Sequence, residues 1–238
     1  MGESLSMDKP QAIGILGGMG PEATILLQRK LMEAVPAQDD SDHIPLLIDM
    51  NTQVPSRIAH LIEGTGDDPS PVLSAMALRL QDAGAAALAM PCNTAHHYAK
   101  AITDTVSIPL LNMVEVAATH AADVVGKGGS VGMLGSPAVR KTKLFENAMT
   151  AHNINVIWPK HDDCMLDAIR MIKSDGPCAG AREIMLVASN ELDAAGADLQ
   201  FIACSEFSLI VDSVAPNAKI VDTVDLLVDA ILAFSTAS

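Results

Sequence analysis

Apolar positions along the chain come in short dense runs separated by longer stretches with helical spacing. The runs at 11–17, 44–50, 85–91, 108–112, 129–135, 153–158, 198–203 and 218–221 have the length and flanks of strands buried on both faces. Between them, 21–35, 70–83, 94–104, 113–126, 138–151, 163–174, 179–196, 205–213 and 223–235 carry helix-like composition or apolar residues spaced near 3.6. Such alternation predicts an α/β protein built on parallel sheets. Pro21 suits a first helical turn, Pro69 and Pro71 open a helix after the Gly-rich loop 63–68, and Asp222 or Thr223 suits an N-cap.

The pattern also repeats. Ile13-Gly-Ile-Leu-Gly-Gly18 resembles Val131-Gly-Met-Leu-Gly-Ser136, and each copy precedes a cysteine, Cys92 or Cys204, at a similar distance along the chain. Each of these cysteines ends a strand-like run and precedes a helix-like segment, so two similar halves would each offer one thiol. No Pro-rich or charged linker separates the halves. The boundary is placed at Asn112 from the repeat, with the last helix returning to the first half. The expected units are residues 1–112 with 222–238, and residues 113–221.

Composition narrows the classes of partner. A chain of 238 residues that is 49% hydrophobic can bury a sizeable core. Its net charge of −14, with 15 Lys and Arg, argues against a nucleic-acid or anionic-membrane surface. An anionic ligand would have to be held by locally placed cations, among which Arg57, Lys143 and Lys173 stand out. The opening stretch MGESLSMDKP has no apolar core of a signal peptide, and no run approaches the roughly 20 apolar residues that span a bilayer. Four cysteines without CxxC spacing read as free thiols in a reducing compartment, and a cytoplasmic chain is expected.

Ligands of parallel sheets gather beyond the carboxyl ends of the strands. The loops there hold Met19 and Gly20, Asn51 with Arg57 nearby, Cys92-Asn93-Thr94, Ser136, and Cys204-Ser205-Glu206. Gly18-Met-Gly-Pro-Glu-Ala23 formally matches a dinucleotide fingerprint, but Pro21 removes an amide and Glu22 puts a carboxylate where pyrophosphate would sit. The glycines are read instead as bringing backbone amides close to a small substrate. A thiol at a helix start is expected to have its pKa drawn below about 8.5. Cys164 and Cys178 read as inert, His96 and His97 as structural, and no metal motif or GxSxG elbow is found.

GILGGMGPEAT, VPSRIAH, MPCNTAH and ACSEF, in this order, resemble the aspartate/glutamate racemase family, most closely its aspartate branch, over most of the chain. The resemblance implies two similar Rossmann-like, three-layer α/β domains with parallel sheets related by a pseudo-twofold axis. It also implies a site between them, no cofactor, an acidic amino acid as substrate and commonly a homodimer. Cys92 and Cys204 would be the two acid/base residues and Arg57 the ligand of the substrate carboxylate. Glu206 would tune the surroundings of the second cysteine, with Lys173 as candidate for the distal carboxylate. Ser136-Pro137 and Ser205 depart from the usual Gly-Thr and Thr, which bears on substrate preference. Two thiols suit inversion at Cα, because one group removes the proton from one face while the other delivers a proton to the opposite face. The carbanion formed needs hydrogen bonds and positive charge around the carboxylate, for which amides near Met19, Asn93-Thr94 and Ser205 and the Ser136 hydroxyl are candidates. The competing readings are a maleate isomerase or arylmalonate decarboxylase on the same scaffold, or a non-catalytic amino-acid binding protein.

Overall fold

The computed structural model describes residues 10–237, so MGESLSMDK, part of the segment searched for a signal peptide, lies outside the described residues. Strands β1 (Ile13–Gly17), β2 (Leu46–Met50), β3 (Ala87–Ala89) and β4 (Leu110–Leu111) form a parallel sheet in the order β2-β1-β3-β4. Strands β5 (Ser130–Gly135), β6 (Asn155–Ile157), β7 (Leu199–Ala203) and β8 (Ile220–Asp222) repeat it as β6-β5-β7-β8. The duplication seen in two short motifs thus extends to the whole strand order.

Its physical basis is visible at Gly14 and Gly132. A Cβ on Gly14 would lie 2.9–3.0 Å from Leu88, Ala85 and Leu80, and one on Gly132 would lie 3.0–3.1 Å from Leu192 and Ala197. In both halves a helix is pressed against a residue near the start of the central strand, the second of β1 and the third of β5, so only glycine fits there. Both strands, IGILG and SVGMLG, are almost wholly buried, whereas edge strand β2 is half exposed.

Helices cover both faces of each sheet. In the first sheet, Leu16 and Leu88 pack on Leu73, Met76 and Leu80 of α2 (Ser70–Asp82), with α3 (Ala99–Thr103) beside it. The opposite face, Ile13, Ile15, Ala87 and Ala89, packs on Leu27 and Leu31 of α1 (Pro21–Ala34) and on Val224, Leu227 and Ile231 of α9 (Thr223–Ser235). In the second sheet, Leu134 and Ile202 pack on Ile169 of α7 (Asp162–Asp175) and Met185 and Leu192 of α8 (Ala179–Ala194). Val131, Met133 and Phe201 meet Phe145 and Met149 of α6 (Leu144–Thr150) and Val114, Ala117 and Ala121 of α4 (Met113–Val125). Thus α4, which follows the first sheet, covers the second, and α9, which follows the second, covers the first. Each fully buried Leu or Ile in these layers contributes about 1.5–3 kcal/mol. Asn112 caps α4 and Asp222 caps α9, each through its side-chain oxygen on amides of the first turn.

Three expected helices take other forms. The segment 138–151 breaks into α5 (Pro137–Thr142) and α6 at Lys143, whose φ is 55°. The Thr142 hydroxyl donates back to Ala138 O and Val139 O, competing with continuation of the helix. Residues 94–104 start as a 3-10 turn, Thr94–Tyr98, before α3 begins. Residues 205–213 contain only a 3-10 turn, Phe207–Ile210, because tight bonds such as Leu209 N–H to Glu206 O replace the α-helical ladder. A π-helical turn, Ala59–Glu63, follows Arg57 where no regular element was expected. No helix of the described residues is long and apolar enough to cross a membrane.

Candidate active site

Cys92 follows β3 and Cys204 follows β7, the corresponding strands of the two sheets. Both thiols are buried, each 7% exposed, and neither is in a disulfide. They therefore sit past the carboxyl ends of equivalent strands, one chemically matched group in each half.

The two surroundings differ. The Cys204 thiol donates to Glu206 Oε2 at 3.1 Å, and Glu206 Oε1 pairs with Lys173 Nζ of α7 at 3.2 Å. Burial, then the Glu206 charge and the hydrogen bond to it, push the Cys204 thiol well above its usual pKa, while Lys173 pulls the other way. The expectation that a helix start lowers this pKa is therefore reversed at Cys204. The turn that follows is only four residues long, and its dipole is outweighed by desolvation and a neighbouring carboxylate. Burial lowers the Lys173 pKa, but Glu206, Cys204 and Cys92 together hold it above the usual value, so this ammonium lies within electrostatic reach of both thiols.

At the position matching Glu206, two residues past Cys92, stands Thr94. Its hydroxyl is 3.1 Å from Ser136 Oγ, a buried contact that ties the first cysteine turn to the start of α5. Ser136 also caps α5 by accepting from Val139 N–H. His96 is structural: its Nδ1 faces Cys92 O at 2.9 Å and its Nε2 accepts from Met113 N–H at 3.2 Å. A carbonyl only accepts, so Nδ1 carries the hydrogen and the ring is neutral. Burial takes its pKa down to about 4 despite the Cys92 carbonyl.

Gly18 must be glycine, since its φ is 89° and a Cβ would sit 2.4 Å from the Asn51 carbonyl group. This contact seats the Asn51 loop against the start of α1, and Asn51 Oδ1 accepts from Gln53 N–H. Met19 is buried in the same apolar cluster as Val54, Met90 and Cys92. Gly20 begins α1, and a Cβ there would lie 3.7 Å from Glu206 Oε1, so the helix start that formally matches a dinucleotide fingerprint faces a carboxylate. Gly20, Pro21 and Ala23 from one half and Ile172, Lys173 and Glu206 from the other line a cleft of about 150 Å³. A larger, mainly apolar depression of about 290 Å³ between α7 and α8 shares no residue with this site.

Arg57 is half-buried and donates from Nη1 to Pro55 O at 3.0 Å and Val54 O at 3.4 Å. Among the described residues it forms no ion pair, and its charge reaches the Tyr98 phenol. Tyr98 is 2.7 Å from His60 Nδ1 of the π-helical turn and is pushed up to about 12, chiefly by burial. Sequence reasoning missed this pair, although Tyr98 is the chain's single tyrosine and closes the 3-10 turn that begins two residues past Cys92. Ser205 and Asn93 are both 2% exposed beside the thiols, whereas Lys143 is an exposed residue at the α5–α6 junction. Among the described residues, no group of three or more His, Cys, Asp or Glu side chains is arranged to hold a metal ion.

Two parallel sheets with matched strand orders, each with a buried cysteine just past its third strand in sequence, define a duplicated α/β protein. A sequence model of the Asp/Glu/hydantoin racemase family matches residues 16–231, and the chain belongs to that family as an amino-acid racemase. The broad specificity amino-acid racemase of Bacillus subtilis (strain 168) is 25% identical over 231 residues, 95% of this chain and 96% of that protein. The Picrophilus torridus aspartate racemase superposes with a TM-score of 0.82 at 26% identity, covering 93% of each chain. Glutamate racemase from Francisella tularensis, in complex with D-glutamate, shares the fold with a TM-score of 0.68 at 16% identity, over 94% of this chain and 80% of that one.

Proposed function

We propose that the chain interconverts L- and D-aspartate, or glutamate, by two-base proton transfer between Cys92 and Cys204 without a cofactor. The observation that carries this reading is the pair of buried thiols after β3 and β7, the same strand in two matched halves. One cysteine, as thiolate, takes the α-proton from Cα, and the other, as thiol, gives its proton to the opposite face. The proton count of the site is unchanged and the two roles are exchanged after turnover. The hydrogen bond to Glu206 favours a resting site in which Cys204 carries the proton. Arg57 is the ligand for the substrate carboxylate, and amides near Met19, Asn93-Thr94 and Ser205, with the Ser136 hydroxyl, stabilise the carbanion. The units 1–112 with 222–238 and 113–221, working as a cytoplasmic homodimer, belong to the same reading.

Lys173 is already paired with Glu206, so a distal carboxylate would have to share that cation. This arrangement, together with the broad specificity of the Bacillus subtilis relative, favours testing neutral amino acids beside the acidic ones. The experiment is proton NMR of the purified protein in deuterated water with L-aspartate, L-glutamate and a neutral set, combined with chiral analysis. Loss of the α-proton signal with appearance of the D-form supports the reading and identifies the substrate. Binding without exchange favours a non-catalytic role; with an arylmalonate and maleate offered in parallel, release of carbon dioxide from the first favours the decarboxylase alternative and conversion of the second to fumarate favours the maleate isomerase alternative.

A further inference from the structure

The start of α9 reaches both cysteine turns. Asn93, adjacent to Cys92, donates from Nδ2 to Thr223 Oγ1 at 3.0 Å, and Thr223 Oγ1 donates to Ile202 O of β7 at 2.8 Å, two residues before Cys204. Next to it, Asp222 Oδ1 accepts from Ser208 Oγ at 2.9 Å, and Ser208 N–H bonds to Cys204 O at 3.3 Å. All four side chains are buried, with Thr223 at 0% and Asn93 at 2% exposure. Water does not replace these bonds, and losing one strands a buried polar group.

The first half has only part of this arrangement. His96, four residues past Cys92, ties its turn to the start of α4, as Ser208, four residues past Cys204, ties its turn to the start of α9. At the start of α4, however, Met113 stands where Thr223 stands in α9, and its side chain has no hydroxyl to reach across. Among the described residues, the hydrogen-bonded bridge between the two cysteine turns is therefore one-sided and passes through a single hydroxyl. We propose that Thr223 is a positioning residue that fixes the separation of the Cys92 and Cys204 thiols, with Asp222 and Ser208 holding the second turn against it. This rests on the two-thiol reading.

The test exploits the difference between inversion, which needs both thiols at the right spacing, and α-proton exchange with retention, which needs one. In deuterated water, Thr223→Val is expected to slow inversion of the preferred amino acid about tenfold or more, the scale set by sub-ångström misplacement of reacting groups. Exchange into the recovered starting enantiomer falls much less, so the ratio of exchange to inversion rises several-fold. Thr223→Ser, which keeps the hydroxyl, restores the native ratio, and Ser208→Ala raises it through the other arm if Thr223→Val does not fold. A folded Thr223→Val protein that inverts normally, or loses inversion and exchange in equal proportion, overturns the proposal. Absence of both reactions in the native chain with every amino acid offered overturns the two-thiol reading, and the proposal with it.

Discussion

The Cys204 thiol donates a hydrogen bond to Glu206, two residues along the chain, while the residue two past Cys92 is the neutral Thr94. Two halves of matched topology thus surround their thiols with different charge. Glu206→Gln removes both the charge and the strongest acceptor near Cys204, so its pKa falls. Lys173→Met removes the cation that opposes Glu206, so the pKa rises further. Rates of iodoacetamide labelling against pH, read peptide by peptide, should move the Cys204 midpoint down in the first variant and up in the second. An unmoved midpoint in both would show that burial alone governs this thiol.

Cys92→Ala and Cys204→Ala are each expected to abolish racemisation, with loss of more than about a thousandfold, since a missing acid or base leaves one face of Cα unserved. Chiral chromatography of the product measures this. Near-native turnover by either variant contradicts a two-base reaction.

Among the described residues the Arg57 side chain hydrogen-bonds only to two backbone carbonyls, so Arg57→Ala disturbs little of the fold while removing a fork-shaped cation. The expected outcome is a KM raised roughly tenfold to a hundredfold, the worth of a charge-assisted bidentate contact. Arg57→Lys should recover only part of it. Steady-state kinetics beside a melting curve separate this from misfolding.

Two buried groups give pH dependences of opposite sign. His96, held down to about 4 against an unfolded value near 6.5, makes the unfolded chain the better proton binder between those values, so stability falls as pH drops through that window by up to about 3 kcal/mol. Asp222 is raised to about 6, chiefly by burial, so the native state holds its proton more tightly, and stability falls as pH rises from 3.8 through 6. Urea unfolding at pH 4.5 and 6.5 should show a smaller acid loss in His96→Gln than in the native chain, and a larger one in Asp222→Asn.

Gly14→Ala and Gly132→Ala should each cost about 1–3 kcal/mol by overpacking the helix against its central strand. Similar losses at the two sites, measured by denaturant titration, would mark them as the same position in two copies.

Strands were legible because central parallel strands are apolar on both faces, and IGILG and VGMLG state that directly. Helix interruptions were less so. Nothing in 138–151 announces a left-handed Lys143, and the turn after Cys204 has helix-like residues but spends its polar groups on distant partners such as Asp222. Among the expected site residues, the structure brings Lys173, Glu206 and Cys204 into one hydrogen-bonded row, and Thr94 and Ser136 into contact. The direction of the Cys204 shift escaped the sequence because burial, its largest cause, is a tertiary quantity, and so is the aim of the Glu206 carboxylate at the thiol. The role of Thr223 escaped for the same reason: it read as an N-cap candidate, and its reach to Asn93 spans 130 residues.

The crossed placement of α4 and α9 has a bearing on how the molecule comes apart. A fragment ending near Gly126 would leave Ile13, Ile15 and Leu27 without α9, and one beginning near Gly129 would leave Val131 and Phe201 without α4. Each fragment would expose the surface that the other is shaped to cover, so neither is a separate folding unit. Mixing the two should recover structure that neither holds alone. Heating the intact chain should melt both cysteine turns in one transition, leaving no populated species with a single ordered thiol.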